Sequence, residues 1–394
     1  MQSMNQTKGT DRRIMLAALA AIGMVSMARG QWEYAAPMPA PKANTFAVTF
    51  QGDVYMVGGA PWVNGGDMDG SVYRLSNGAW TVAAPLDGMG PAVGQGGGVD
   101  ALGRILVFGG EIQGSGDLAE SRVYEPIDGT FGIPAEASLV NPRLNFGLAV
   151  DDQHRIYRLG GGCDICNNNQ SICSRYDALT DSWEQIAWLP WSRSSIAAVY
   201  DGRGHIWAFG GYTSFGLPRL IHTIRYTIAT NTWETLGSLT LPAATSDARA
   251  VLGADGNLYF IGGLTGDGPG TPSSAVYVLD PGAAEPSWRI GPSLQTARYD
   301  FGVTLGDDQY IYVIGGMTTS GPTATVERLY TGAAPALTGD INGDCSVDID
   351  DLNALLGAWA TTVGVGSPLD PTNDDGFVDA DDLNLVLANW GAAC

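Results

Sequence analysis

Basic residues are scarce in this chain: 20 lysines and arginines stand against 41 aspartates and glutamates, a formal charge of −21. Phosphate binding needs a basic footprint, so nucleic acid is excluded as a partner, and an anionic membrane surface is disfavoured for the same reason. Charged residues of both signs reach only 15%, too few for long solvated helices, whereas 55 glycines point to many short strands joined by tight turns. Histidine occurs three times, at His154, His205 and His222, without metal-ligand spacing, and no serine triad or paired-carboxylate motif stands out. Long hydrophobic runs are missing apart from Ile14 to Val25, which follows Lys8, Arg12 and Arg13 and precedes the small residues around Ala28. That run is too short for a permanent membrane span and reads as part of a signal peptide over residues 1–30. The adjacent Arg12 and Arg13 fit an ordinary secretory n-region better than a twin-arginine signal. The mature chain is therefore expected to be secreted, where disulfides form.

The glycines are ordered. Doublets close six apolar segments at Gly58-Gly59, Gly109-Gly110, Gly161-Gly162, Gly210-Gly211, Gly262-Gly263 and Gly315-Gly316, and a tyrosine follows each (Tyr73, Tyr124, Tyr176, Tyr226, Tyr277, Tyr330). An aromatic comes next at Trp80, Phe131, Trp183, Trp233 and Trp288; the last lies farther from its tyrosine, which predicts a longer third turn in the fifth repeat. A period of about 50 residues with this punctuation signals propeller blades of four strands each. One such sheet cannot bury both faces, so six are predicted to pack radially around a shared core. The sixth repeat lacks its tryptophan strand, while Trp32 stands alone ahead of the first; exchange of that N-terminal strand would close the ring and remove an open edge. The glycine doublets with spaced tyrosine and tryptophan resemble kelch repeats, and the resemblance implies an all-β, six-bladed kelch-type propeller over residues 31–330.

After a linker at 331–338, residues 339–394 hold eleven aspartates and no basic residue. Asp340, Asn342, Asp344, Asp348 and Asp351 fall at positions 1, 3, 5, 9 and 12 of an EF-hand-like loop, with the Ser346 carbonyl at position 7. The spacing favours calcium over a simple acidic helix cap. The pattern recurs later in the same segment with Asn373, Asp375, the Phe377 carbonyl, Asp379 and Asp382. Pro371 holds position 1 there, so either Asp370 reaches in from a loop one residue longer or that ligand is missing, and weaker binding is expected. Leu352, Leu355, Leu356 and Trp359 in one following helix, and Leu383, Leu385, Val386 and Trp390 in the other, read as an apolar seam. The paired loop-helix units resemble dockerins, which implies a small α-helical calcium-binding domain that docks on a cohesin-like partner, often in assemblies that degrade polysaccharide. Positions 10 and 11 carry Ile349-Asp350 and Ala380-Asp381 where cellulosomal dockerins have Ser/Thr, so another specificity class is implied.

Loops between second and third strands, and those between blades, open on one propeller face. Lys42, Arg143, Arg193 and Arg298 each precede a doublet at a nearly constant distance, at the entry to the inner strand, which would set them around a channel mouth, gripping an acidic ligand; pairing with acids of the next blade is the alternative. Trp62, Trp188, Trp191 and Phe215 fall in the same loops, where they could stack on sugar rings or pack between blades. The preferred reading is a secreted binding protein for a glycan or protein ligand, with no catalytic residue assigned. The alternative is a carbohydrate-active enzyme: a six-bladed kelch fold is also found in N-acetylneuraminate epimerase, which this chain would resemble in being arginine-lined. Of five cysteines, Cys163, Cys166 and Cys173 cluster after the third doublet, where Cys173 could pair with either neighbour, and Cys345 with Cys394 would clip the tail.

Overall fold

A computed structural model of the chain describes residues 30–60, 71–85, 92–112, 116–117, 121–132, 142–163, 168–213, 218–332, 339, 341, 347–363, 367, 369–370 and 377–391. The chain divides into a unit spanning Gly30–Ala333 and a second containing Ala334–Cys394. Among the described residues, no helix is long and apolar enough to cross a membrane.

The first unit holds six four-stranded antiparallel sheets. Blade one runs Phe46–Phe50, Asp53–Val57, Ser71–Ser76, Ala79–Pro85, and blades two to five repeat that meander. Blade six takes three strands, Gly302–Leu305, Tyr310–Ile314 and Val326–Tyr330, from the end of the unit, and its fourth, Glu33–Ala35, from the beginning. The six inner strands touch one another in sequence around a closed ring.

The burial pattern follows from that geometry. Second strands such as Ile105–Phe108, Leu258–Ile261 and Tyr310–Ile314 are buried on both faces, because neighbouring blades cover each side, and they are apolar throughout rather than alternating. Outer strands face solvent and carry cross-strand ion pairs, Arg175 to Glu184 and Arg225 to Glu234. Each junction between blades has its own apolar cluster; between blades three and four it joins Tyr157, Leu159 and Cys173 to Ile196, Ile206 and Tyr226. Tryptophan indoles fasten one blade to the backbone of the preceding one: Trp80 to Ala36 O (2.8 Å), Trp233 to Ala187 O (2.9 Å) and Trp32 to Pro292 O (2.8 Å). In blade five the longer turn shifts the register, so that Tyr277 faces Ile290 and Trp288 faces Leu279.

Three corrections to the sequence reading arise here. The third doublet is Gly160-Gly161, not Gly161-Gly162: both have positive φ (61° and 104°), like the other doublets, and a run of three glycines hides the register until φ is known. The doublet is required because its second N–H donates to a carbonyl of the next blade, as in Gly161 N to Arg193 O (2.8 Å) and Gly263 N to Arg298 O (3.0 Å). A Cβ on Gly160 or Gly262 would lie 2.6 or 2.7 Å from those same oxygens. Second, Cys173 is not in a loop: it begins the third strand of blade three, paired with Leu159 and Ile186, as a buried free thiol. Burial pushes that thiol up to about 12, so it is inert core. Cys166, Cys345 and Cys394, and the side chain of Cys163, lie outside the described residues, with any bridges among them.

In the second unit, helices α1 (Ile349–Gly357) and α2 (Ala380–Ala388) share their length, N-caps, capping boxes and buried positions. Asp348 and Asp379 are the N-caps, Asp351 and Asp382 complete capping boxes, and the αL residues Ala360 and Gly391 follow the helices. Ala360 N donates to Val378 O (2.9 Å) and Gly391 N to Val347 O (2.8 Å), so each half closes on the other. The third correction concerns the seam. Leu355 and Val386 are buried with Val347 and Val378, whereas Leu356, Trp359 and Trp390 are about half exposed.

Candidate functional site

Each inner strand is preceded by one residue in the left-handed region: Asn44, Gly94, Asn145, Ser195, Asp247 and Asp300, with φ between 51° and 68°. Asn, Asp and Gly tolerate this conformation best, which accounts for their recurrence. The backbone there links blade to blade, Ser195 N to Asn145 O (2.7 Å), Asp247 N to Ser195 O (3.1 Å), Asp300 N to Asp247 O (3.1 Å) and Asn44 N to Asp300 O (2.8 Å). The result is a collar around one mouth of the channel.

Inside the collar, Asn145, Ser195, Asp247 and Asp300 line a small cavity with Gln95 and Arg249. It leads into a space of about 110 Å³ between Phe46 and Phe146, still bordered by Gln95 and Arg249. Beyond it the channel widens to about 450 Å³ with mostly apolar walls, including Val99, Val150 and Leu252. The collar end is lined almost wholly by polar groups, whereas the wide end mixes its apolar walls with Asp151, His154 and Asp307.

Asp247 accepts from Ser246 Oγ (2.6 Å), which in turn accepts from Arg219 Nε (2.8 Å). Arg249 stands 3.8 Å from Asp300, whose side chain is 13% exposed. Desolvation first, and the Asp247 charge second, raise the Asp300 carboxyl from its ordinary 3.8 to about 8. Burial and the same carboxylates also raise Tyr212 and Tyr299.

A raised carboxyl pKa means the folded protein holds a proton that the unfolded chain has already released, so Asp300 costs stability as pH rises from about 4 to about 8. Asp300→Asn is expected to gain stability over the parent at about pH 8.5 and to gain less at about pH 5. Urea unfolding at both pH values measures this; an equal difference at the two would mean that Asp300 is ionised throughout.

The cations expected at the mouth are elsewhere. Lys42, Arg143, Arg193 and Arg298 are at most 1% exposed, because their side chains turn between the second and third strands of their own blades. Arg143 donates to Gly160 O (3.0 Å) and Ile172 O (2.9 Å), Arg193 to Gly210 O (3.3 Å), and Arg298 to Gly315 O (2.8 Å). Lys42 donates to Ser71 O (3.1 Å) and lies 4.3 Å over the Tyr73 ring. Arg298 adds an ion pair with Glu327, a residue of its own blade rather than the next. Desolvation lowers the three guanidinium pKa values, Arg193 to about 10. These are struts behind the glycine doublets and cannot grip a ligand.

Trp188 and Trp191 are 53% and 42% exposed in the segment joining blades three and four. Trp191 packs on His222, ring centres 5.4 Å apart, with the Arg193 guanidinium 5.2 Å from its ring. Trp62 and Phe215 lie outside the described residues. His205 bonds Asp201 (3.2 Å) in a turn, and His154 is exposed in the equivalent turn of the preceding blade.

In the tail, Asp340, Asn342, Asp344, Ser346, Asn373 and Asp375 lie outside the described residues. Of the remaining predicted ligands, Asp348 and Asp379 cap their helices, accepting from Asp350 N and Asp381 N (both 2.9 Å). Asp351 accepts from Ile341 N (2.8 Å) and Asp348 N (2.8 Å), folding the loop back onto its helix. Asp370 is buried, and Phe377 is bridged to Thr362. The acidic-cap role therefore holds for Asp348 and Asp379, while the oxygen-bearing residue types at the remaining loop positions of the sequence are of the kind a hard cation such as calcium prefers. Among the described residues, no three His, Cys, Asp or Glu side chains come together as a metal site.

Six four-stranded blades closed by an N-terminal strand and fastened by glycine doublets make the main unit a kelch-type β-propeller. The chain is 36% identical over 132 residues to Kelch-like protein 35 of Mus musculus, covering 31% of this chain and 21% of that one. It is 33% identical over 87 residues to a kelch repeat-containing protein of Dictyostelium discoideum, covering 22% and 13%. The chain thus spans about a fifth or less of these relatives' lengths. Among solved structures it is similar in fold to YjhT, with a TM-score of 0.63 at 17% identity over 74% of this chain and 95% of that one. No protein-family model matches the chain.

What sequence reading missed was the collar. Its residues stand two positions after the buried cations, as in Lys42 and Asn44, Arg143 and Asn145, Arg193 and Ser195, Arg298 and Asp300.

Proposed function

We propose that this is an exported binding protein whose propeller takes a polar ligand, most readily a glycan, at the collar end of its channel. The observation that carries this reading is the collar cavity, where carboxyl, amide, hydroxyl and guanidinium groups converge next to a space bordered by Phe46 and Phe146. The exposed Trp188 and Trp191 offer stacking surface in a segment between blades. A glycan array with the full chain tests it, and a blank array would remove the glycan reading.

The tail, on this proposal, binds calcium through its duplicated loops and docks the protein on a cohesin-like partner, linking the propeller to polysaccharide breakdown. The matching caps and helices of the two halves support two related cation loops, the second the weaker. Calcium would hold the loop oxygens that otherwise repel one another, so calorimetry of the full chain in EDTA should show the tail transition lowered while the propeller transition stays. A tail transition indifferent to chelator would take calcium out of the account.

A second reading, a sugar-converting enzyme such as an epimerase, is favoured by one observation. Asp300 keeps its proton near neutrality beside Asp247, an arrangement suited to proton transfer. Turnover of a bound sugar followed by NMR separates the two readings.

A further inference from the structure

The Gln95 side chain is unusual among the collar residues. The residue is only 7% exposed, yet neither its amide nitrogen nor its amide oxygen has a hydrogen-bond partner. A buried amide left in that state costs about 1–3 kcal/mol for each unsatisfied group, and the fold gains nothing visible from it. The equivalent positions in four other repeats are apolar: Phe146, Ile196, Ala248 and Phe301. Gln95 also borders both the collar cavity and the adjoining 110 Å³ space, together with Arg249. The residue thus lies at the edge of room for a ligand.

We infer that Gln95, Arg249 and Asp300 form a subsite for two adjacent hydroxyls on the edge of an uncharged sugar ring. This rests on the reading of the propeller as a glycan binder and narrows it. A hydroxyl both donates and accepts, and only a wall that mixes the two capacities satisfies it. Gln95 offers both, Arg249 donates, and Asp300 accepts or, when protonated, donates. The collar cavity, about 20 Å³, has space for only one or two water-sized groups, so an edge enters it while the ring stays in the adjoining space bordered by Phe46 and Phe146.

Charge selects against acidic and basic ligands alike. The nearby arginines that would hold a carboxylate, Arg143, Arg193 and Arg298, are committed to backbone carbonyls. Asp247 opposes an anion, and Arg249 opposes a cation. With Asp300 protonated, as its raised pKa implies at pH 7, these two leave the lining without net charge. Burial raises Tyr212 and Tyr299 nearby, and Arg219 stands behind Asp247, one hydrogen bond removed through Ser246.

The test is NMR and calorimetric titration of the full chain with methyl hexosides (mannoside, glucoside, galactoside), with glucuronate and with ethanolamine. At least one hexoside should bind, with glucuronate and ethanolamine weaker by about tenfold or more. Gln95→Leu keeps the volume and removes the polar atoms; it should weaken the hexoside by about tenfold while leaving the melting temperature unchanged or higher. A structural role for the amide predicts the reverse, lower stability with binding intact. Asp300→Asn, which keeps an uncharged polar group, should retain hexoside binding at pH 7, whereas Asp300→Leu should lose it. If glucuronate or ethanolamine binds best in a Gln95-dependent way, the glycan or polar-ligand site stands and the neutral-diol assignment falls. If a hexoside binds but Gln95→Leu leaves it untouched, the subsite is wrong. If none of these probes and no arrayed glycan binds, the broader reading fails with it.

Discussion

A chain lacking residues 31–36 is expected to lose the cooperative unfolding of its propeller, either failing to fold or aggregating. The segment supplies the outer strand of blade six, in which Glu33, Tyr34 and Ala35 pair with Arg328, Glu327 and Val326. It also carries Trp32, which is 4% exposed and packs with Val276, Leu294, Phe301 and Leu329. Removing a buried tryptophan alone costs about 3–5 kcal/mol, a large share of the 5–15 kcal/mol that is typical of a domain. The truncation further takes Ala36 O from the Trp80 indole and Glu33 from Arg328, and bares the edge of Val326–Tyr330 to other chains. Tryptophan fluorescence in urea and size-exclusion chromatography report the outcome. A truncated chain that unfolds at the parent's midpoint as a monomer would show that blade six needs no fourth strand.

The repeat was legible because six copies of one supersecondary unit must each solve the same packing problem, so glycine, tyrosine and tryptophan recur wherever blades approach. What a repeat cannot give is side-chain direction. Lys42, Arg143, Arg193 and Arg298 sit at the sequence distance expected of mouth residues, yet they are buried and bond backbone carbonyls of their own blades instead. Asn145, Ser195, Asp247 and Asp300 look like ordinary turn residues in the sequence, since small polar side chains are what αL positions take anyway. Gln95 and Arg249 are visible only as departures: Arg249 is aligned with Phe46, Gly96, Gly147, Ala197 and Gly302 in the other repeats. In the tail, the duplication was plain, but which leucines face inward was not. Nine-residue helices expose all but a narrow stripe, and only Leu355 and Val386 fall on it among their nonpolar residues.

Arg298→Met is expected to destabilise the propeller far more than Arg193→Met, although the two arginines occupy equivalent places and are equally buried. Arg298 is paired with Glu327 at 2.5 Å, and neither side chain has any exposed surface. Glu327 also accepts from Gln295 N (2.6 Å) and Thr296 N (3.0 Å), which fixes the link between blades five and six. Deleting the guanidinium leaves that carboxylate buried without its counter-charge, a loss of about 3–5 kcal/mol. Arg193 makes one bond, 3.3 Å to Gly210 O, while its Nε and Nη2 lack partners. Its replacement removes a poorly compensated buried charge and is expected to cost about 1 kcal/mol or less. The double variant Arg298→Met/Glu327→Leu should recover part of the Arg298→Met loss, because no orphan charge remains. Urea unfolding of the three variants and the parent decides this: equal losses at Arg298 and Arg193, with no recovery in the double variant, would mean that both arginines act as packing alone.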